Sequence, residues 1–177
     1  MSGHSKWSQI KRQKGVTDAK RSQIFGKLGK SISLAARKGE KPDMNPELRA
    51  AVEKAKEANM PADNIERAIK KGAGKLEGAQ LESVCYEAYG PGGAAIIIEG
   101  ITDNKNRTTQ EIKHLLSKNG ASLAQAGSVI WSFENKKGKF IPKHAVELSE
   151  QEAGSLDKLL EELDNHDDMQ DIYTNAK

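Results

Sequence analysis

Apolar residues in the first half of the chain recur at helical spacing. Phe25, Leu28, Ile32, Ala35 and Ala36 fall on one face of a segment that Thr17 or Asp18 can cap and Gly39 can end, which predicts a helix to about Lys38. Asn45-Pro46 opens a second helix, with asparagine as cap and proline at the first helical position. Leu48, Val52 and Ala55 form its apolar face, and it should end near Asn59. Pro61 opens a third, short helix through Ile65, Ala68 and Ile69, ending at Gly72. Residues 72–78 read as a linker. The pattern of residues 5–14 does not decide between helix and extended chain.

Beyond the linker the period shortens. Val84, Tyr86 and Ala88 alternate with less apolar neighbours and predict a strand that contains Cys85, which favours an inert, buried thiol. Gly90-Pro91-Gly92-Gly93 reads as a turn, and Ala94 to Ile101 as a central, buried strand. A helix is expected from about Arg107 to Asn119, with Asn106 as cap, Ile112, Leu115 and Leu116 inside, and Gly120 as stop. Val129 to Phe133 reads as a strand, Asn135 to Gly138 as a hairpin turn into Lys139 to Ile141, and Ala145 to Leu148 as a short strand. Ser149 and Glu152 form a capping box for a helix carrying Ala153, Leu156, Leu159, Leu160 and Leu163. Met169 to Thr174 is the last strand.

This order predicts an α+β fold: a basic three-helix domain over residues 1–79, then an α/β sandwich over residues 80–177 with a largely antiparallel sheet and two helices on one face. Apolar residues make up 36% of the 177 positions, too few for one large core, so two small cores are expected. No apolar run has the length of a membrane-spanning helix, and the N-terminus lacks the apolar core of a signal peptide. With a single cysteine excluding an internal disulfide, the reading is a cytoplasmic protein.

Charge adds more than composition does. The net charge of +3 hides an asymmetry: residues 1–75 carry 18 Lys+Arg against 8 Asp+Glu, whereas residues 76–177 carry 10 against 17. One half therefore invites a polyanion. Lys6, Lys11, Arg12 and Lys14 suit phosphate contacts, and Trp7 among them suits stacking on an unpaired base, although packing on the helical core is an equal reading for Trp7. Lys20, Arg21, Lys27, Lys30 and Arg37 lie largely off the apolar stripe of the first helix, and neither they nor Lys38 have acidic partners at four-residue spacing. Lys54, Lys56, Arg67, Lys70 and Lys71 alternate with acids and read as surface ion pairs. Asn106 and Arg107, at a helix N-terminus, form a candidate anion site, with a plain cap the stronger reading for Asn106.

Several stretches, in order along nearly the whole chain, resemble the YebC/PmpR family of bacterial regulators, which is related to a mitochondrial translational activator. They include Gly3-His4-Ser5-Lys6-Trp7, Ala58-Asn59-Met60-Pro61, residues 63–72, Tyr86-Glu87-Ala88-Tyr89-Gly90-Pro91-Gly92-Gly93, residues 102–108, and Ile172-Tyr173-Thr174-Asn175-Ala176. Members are usually longer, with a further α/β domain between the counterparts of Trp131-Ser132-Phe133 and Ile141-Pro142; here Asn135 to Gly138 bridges that gap. The resemblance implies a DNA-binding transcriptional regulator or, alternatively, a ribosome-associated factor that binds ribosomal RNA and assists translation of proline-rich stretches.

No catalytic constellation, metal-ligand spacing, cofactor motif or small-molecule site stands out. His4, His114, His144 and His166 are scattered, and the acidic run from Glu161 to Asp171 reads as a solvated helix end and turn. Gly90-Pro91-Gly92-Gly93 lacks the lysine and hydroxyl residue that would follow it in a phosphate loop. The function expected is a nucleic-acid-binding regulator of gene expression, not an enzyme. The rival from another class is a protein-interaction module whose basic half binds an acidic protein.

Overall fold

The computed structural model describes residues 17–177. They divide into a helical unit, which runs to Glu82 and takes in Ile101–Asp103, and an α/β unit of Ser83–Gly100 and Asn104–Lys177.

In the helical unit, α1 (Asp18–Ala36) starts where the Thr17 hydroxyl accepts the N–H of Lys20. Its successor α2 (Pro46–Glu57) is capped by Asn45, whose side-chain oxygen accepts the Leu48 N–H while its amide donates to the carbonyls of Ala35 and Gly39. That asparagine both starts one helix and ties down the end of another. Helix α3 (Ala62–Gly72) completes a core of Ile32, Ala35, Ala36, Leu48, Val52, Ala55, Met60, Ile65 and Ala68. The packing of α1 on α3 is close because Gly72 has no side chain: a Cβ there would run into the Ser33 carbonyl and lie 2.8 Å from the Ala36 methyl. The buried Ser33 hydroxyl donates to the Ala68 carbonyl at 2.8 Å, so the contact leaves no orphaned hydroxyl.

In the α/β unit a four-stranded sheet has the order β3-β1-β2-β6, built from β1 (Glu82–Tyr89), β2 (Ala95–Thr102), β3 (Ser122–Leu123) and β6 (Met169–Thr174). Strand β6 pairs antiparallel with β2, Ile96 opposite Thr174, and β3 pairs antiparallel with β1. The isoleucine run of β2 is buried on both faces, as a central strand requires. On one face, α4 (Lys105–Lys118) and α5 (Glu150–Asp164) cover Val84, Tyr86, Ala88, Ile96 and Ile98 with Ile112, Leu116, Leu156, Leu159, Leu160 and Leu163. On the other, the hairpin β4 (Phe133–Lys136) and β5 (Lys139–Pro142) lays Phe133 and Phe140 over Ala95, Ile97 and Tyr173. Phe140 meets Tyr173 edge to face at 5.3 Å, a favoured aromatic geometry.

The α+β class and the largely antiparallel sheet are as expected, and so is the capping box of α5. Four details differ. Helix α4 is capped by Asn104, not Asn106: the backbone at Asn104 is extended and its side chain accepts the Arg107 N–H, so Asn106 falls inside the first turn. Residues 129–133 are not a strand. The carboxylate of Glu87, 8% exposed, accepts the N–H groups of Gly127 (2.6 Å), Val129 and Ile130 (both 2.7 Å), which curls the chain into a short 3-10 turn, Ile130–Ser132, before β4 begins. Residues 145–148 make only a single parallel bridge, Val146 to Ala176. Cys85 lies in β1 but is exposed, on the face opposite Val84 and Tyr86. The two-residue strand β3 had no pattern long enough to read.

Candidate nucleic-acid interface

Helix α1 is held by its apolar stripe, which leaves the cations of the same helix off the core. Arg21 is exposed and lies 3.6 Å from Asp18 one turn earlier. The Lys20 Nζ donates to Gln23, and Lys27 and Lys30 are half-buried, each with a partner. Arg37, just past the helix, donates to the Leu81 carbonyl at 2.7 Å. Lys6, Trp7, Lys11, Arg12 and Lys14 lie outside the described residues.

The expectation that these cations lack acidic neighbours needs qualification. Lys38 is paired with Glu47 of the next helix at 2.7 Å, and Lys75 with Glu40 at 2.6 Å, where hydrogen bonding and the lysine charge hold the Glu40 carboxyl below its ordinary pKa. Such partners come from neighbouring elements, which helical spacing does not reveal. Exposed pairs of this kind contribute little to stability, so a phosphate can replace the carboxylate at small cost. Lys70 pairs with Glu66 as read from the sequence.

Asn106 and Arg107 sit in a different setting from the anion site expected of them. The guanidinium of Arg107 is held between two carboxylates, Glu111 at 2.7 Å and Asp168 at 2.8 Å. Asp168 is buried and also accepts the Thr108 hydroxyl, so the acidic run is not wholly solvated as expected. His166 lies 2.8 Å from Glu111 through Nε2, and its Nδ1 accepts the Asp168 N–H. One ligand-type atom each from Glu111, His166 and Asp168 lies within 4.8 Å of the others, but Arg107 already supplies positive charge to both carboxylates. The cluster reads as a tether between α4 and the turn before β6.

Two family models cover the chain. The TACO1/YebC protein N-terminal domain matches residues 5–75, and the TACO1/YebC second and third domain matches residues 81–140 and 135–176. The chain belongs to the TACO1/YebC family. The two stretches of the second model meet on the β4–β5 hairpin, where the sequence reading places the missing domain. Curated relatives named "Probable transcriptional regulatory protein" include one from Petrotoga mobilis, 54% identical over 98% of this chain and 70% of that protein. Another, from Fervidobacterium nodosum, is 55% identical over 89% of this chain and 60% of that protein. The chain is thus a short TACO1/YebC form, spanning 60–70% of the length of these two relatives. A conserved hypothetical protein from Aquifex aeolicus, known from its crystal structure, superposes with a TM-score of 0.87 at 34% identity, over 97% of this chain and 96% of that one. The YebC expectation therefore holds, and with it the fold.

Glu87 organises the α/β unit of this TACO1/YebC chain, and periodicity does not single it out. An acid between Tyr86 and Ala88 in a strand is nevertheless a signal in itself: a carboxylate in a sheet that buries both faces needs donors. Burial acts to raise its pKa, but the amides of Gly127, Ile130 and Val129 outweigh this and hold it below the ordinary value. Trp131, at the end of the loop that Glu87 organises, is largely exposed. At Cys85, partial burial of the thiol, with Glu99 and Glu87 nearby, raises the pKa above its ordinary value.

Proposed function

We propose that this protein is a nucleic-acid-binding regulator of gene expression that grips the phosphate backbone through the cations of its N-terminal domain. The observation that carries the reading is the excess of 18 Lys+Arg over 8 Asp+Glu in residues 1–75. The N-terminal family model covers nearly the same stretch, residues 5–75, which supports treating it as one functional piece. The names of the curated relatives favour transcription, and so DNA, as the target.

In this reading Lys6, Lys11, Arg12, Lys14, Lys20, Arg21, Lys27, Lys30 and Arg37 contact phosphate and Trp7 stacks. The domain over residues 80–177 positions them or meets a protein partner, and the protein works in the cytoplasm. Phosphate contacts fix position but carry no sequence information, so base specificity is weak. Titrating promoter duplex and ribosomal RNA fragments at a series of salt concentrations tests it. With six to ten phosphates engaged, affinity falls by about 10³–10⁵-fold between 50 and 200 mM salt. Reversing the charges of Lys11, Arg12, Lys14 and Arg21 together abolishes binding without unfolding the protein. A flat salt response, or full binding by that variant, overturns the proposal.

A further inference from the structure

We infer that Trp131 and Tyr89, with Lys143 just beyond the β4–β5 hairpin, form a stacking platform for an unpaired base of single-stranded nucleic acid. The inference deepens the proposed function by adding a second contact in the α/β unit. Trp131 is 64% exposed and Tyr89 is 40% exposed, yet neither ring is loose. The Trp131 Nε1 donates to the Ser128 carbonyl at 2.7 Å, and the Tyr89 hydroxyl donates to the same oxygen at 3.0 Å. Ser128 lies inside the loop whose amides at Gly127, Val129 and Ile130 are fastened to the buried Glu87 carboxylate. Two aromatic rings are thereby held at the surface by one acceptor, which a buried anion fixes in place. Ordering them in advance lowers the entropy cost of binding.

The charge of the segment that follows Trp131 selects the occupant. Residues 76–177 are acidic overall, with 17 Asp+Glu against 10 Lys+Arg, but four of those ten cations, Lys136, Lys137, Lys139 and Lys143, fall within the ten residues 134–143, where Glu134 is the one acid and pairs with Lys136 at 3.2 Å. Lys143 donates its Nζ to the Trp131 carbonyl at 2.8 Å, which places an ammonium group beside the indole's own backbone. Exposed aromatic rings with this cation beside them fit a base on the ring and a phosphate on the lysine. In duplex the base faces are hidden, so this surface discriminates for unpaired strands.

The test uses the full chain. Fluorescein-labelled oligouridylate, oligodeoxyuridylate and a duplex of equal length are titrated with the protein and binding is read by anisotropy. Tighter binding of the single strands is expected, the two single-stranded probes showing whether the sugar matters. Trp131→Ala should weaken single-strand binding by about 5- to 100-fold while duplex binding changes little, and Trp131→Phe should retain most of it. Equal single-strand affinity of Trp131→Ala and its parent overturns the platform. So does a loss confined to self-association by sedimentation, which would make a second copy of the chain the occupant. The N-terminal charge-reversal variant keeps the two readings apart. Binding that is lost there but not in Trp131→Ala sinks the platform alone, and binding lost only in Trp131→Ala sinks the N-terminal grip alone.

Discussion

Replacing Glu87 with glutamine removes one of the two acceptor oxygens that hold the loop before β4. Gly127 donates to Oε1, and Val129 and Ile130 donate to Oε2. An amide has a single oxygen, so at best the bonds from Val129 and Ile130 survive without charge and the Gly127 N–H faces an NH₂ donor. Losing one buried bond costs about 1–3 kcal/mol, and neutralising the acceptor of the other two costs about 0.5–1 kcal/mol each. The total of about 2–5 kcal/mol corresponds to a fall in Tm of about 8–40 °C for a unit of this size. Thermal unfolding of Glu87→Gln and its parent, read near neutral pH, measures the cost directly. The pH dependence supplies a second check. The folded-state pKa of Glu87 is depressed, so its contribution is complete above the unfolded value of about 4.3 and is lost as pH falls through the folded one. The gap between parent and variant should therefore narrow in acid. A variant within about 0.5 kcal/mol of its parent at neutral pH would refute the idea that the carboxylate organises the loop.

Two further substitutions test the packing and the capping. Gly72→Ala should destabilise the helical unit by about 1–3 kcal/mol, since the new methyl group meets the Ser33 carbonyl; urea unfolding followed by helical circular dichroism reads it, and an unchanged midpoint would count against the close approach of α1 and α3. Asn104→Ala should cost about 1 kcal/mol, whereas Asn106→Ala should be near neutral, and the reverse order in thermal melts would restore Asn106 as the cap.

Elements with long, periodic patterns were legible from sequence because their physics is local. The apolar stripe of α1, the Asn45-Pro46 start of α2, the Ser149–Glu152 box and the isoleucine run of β2 each carry their own signal within a few residues. What was misread depends on partners far along the chain. The 129–133 segment has strand composition, yet an acid some forty residues earlier captures its amides. Asn104 and Asn106 are equally good caps by type, and the geometry of the entering chain decides between them. Arg107 looked available for an anion because Asp168, which it pairs with, lies 61 residues away. On the candidate interface, sequence supplied the cations of α1 but not the pairing of Lys38 with Glu47 or of Lys75 with Glu40.

The β4–β5 turn makes the short form of the family possible at little conformational cost. Lys137 and Gly138 both have positive φ, the backbone of a type I′ turn whose twist matches the flanking strands. Lys136 and Lys139 are directly opposed, so the chain departs and returns at neighbouring points. A guest sequence spliced between them would not have to stretch across the sheet; doubling its length would add only about 0.6 kcal/mol of closure entropy. The hairpin tip is thus a natural port for gaining or shedding whole modules, and the place to attach a reporter while leaving Phe133 and Phe140 seated beneath it.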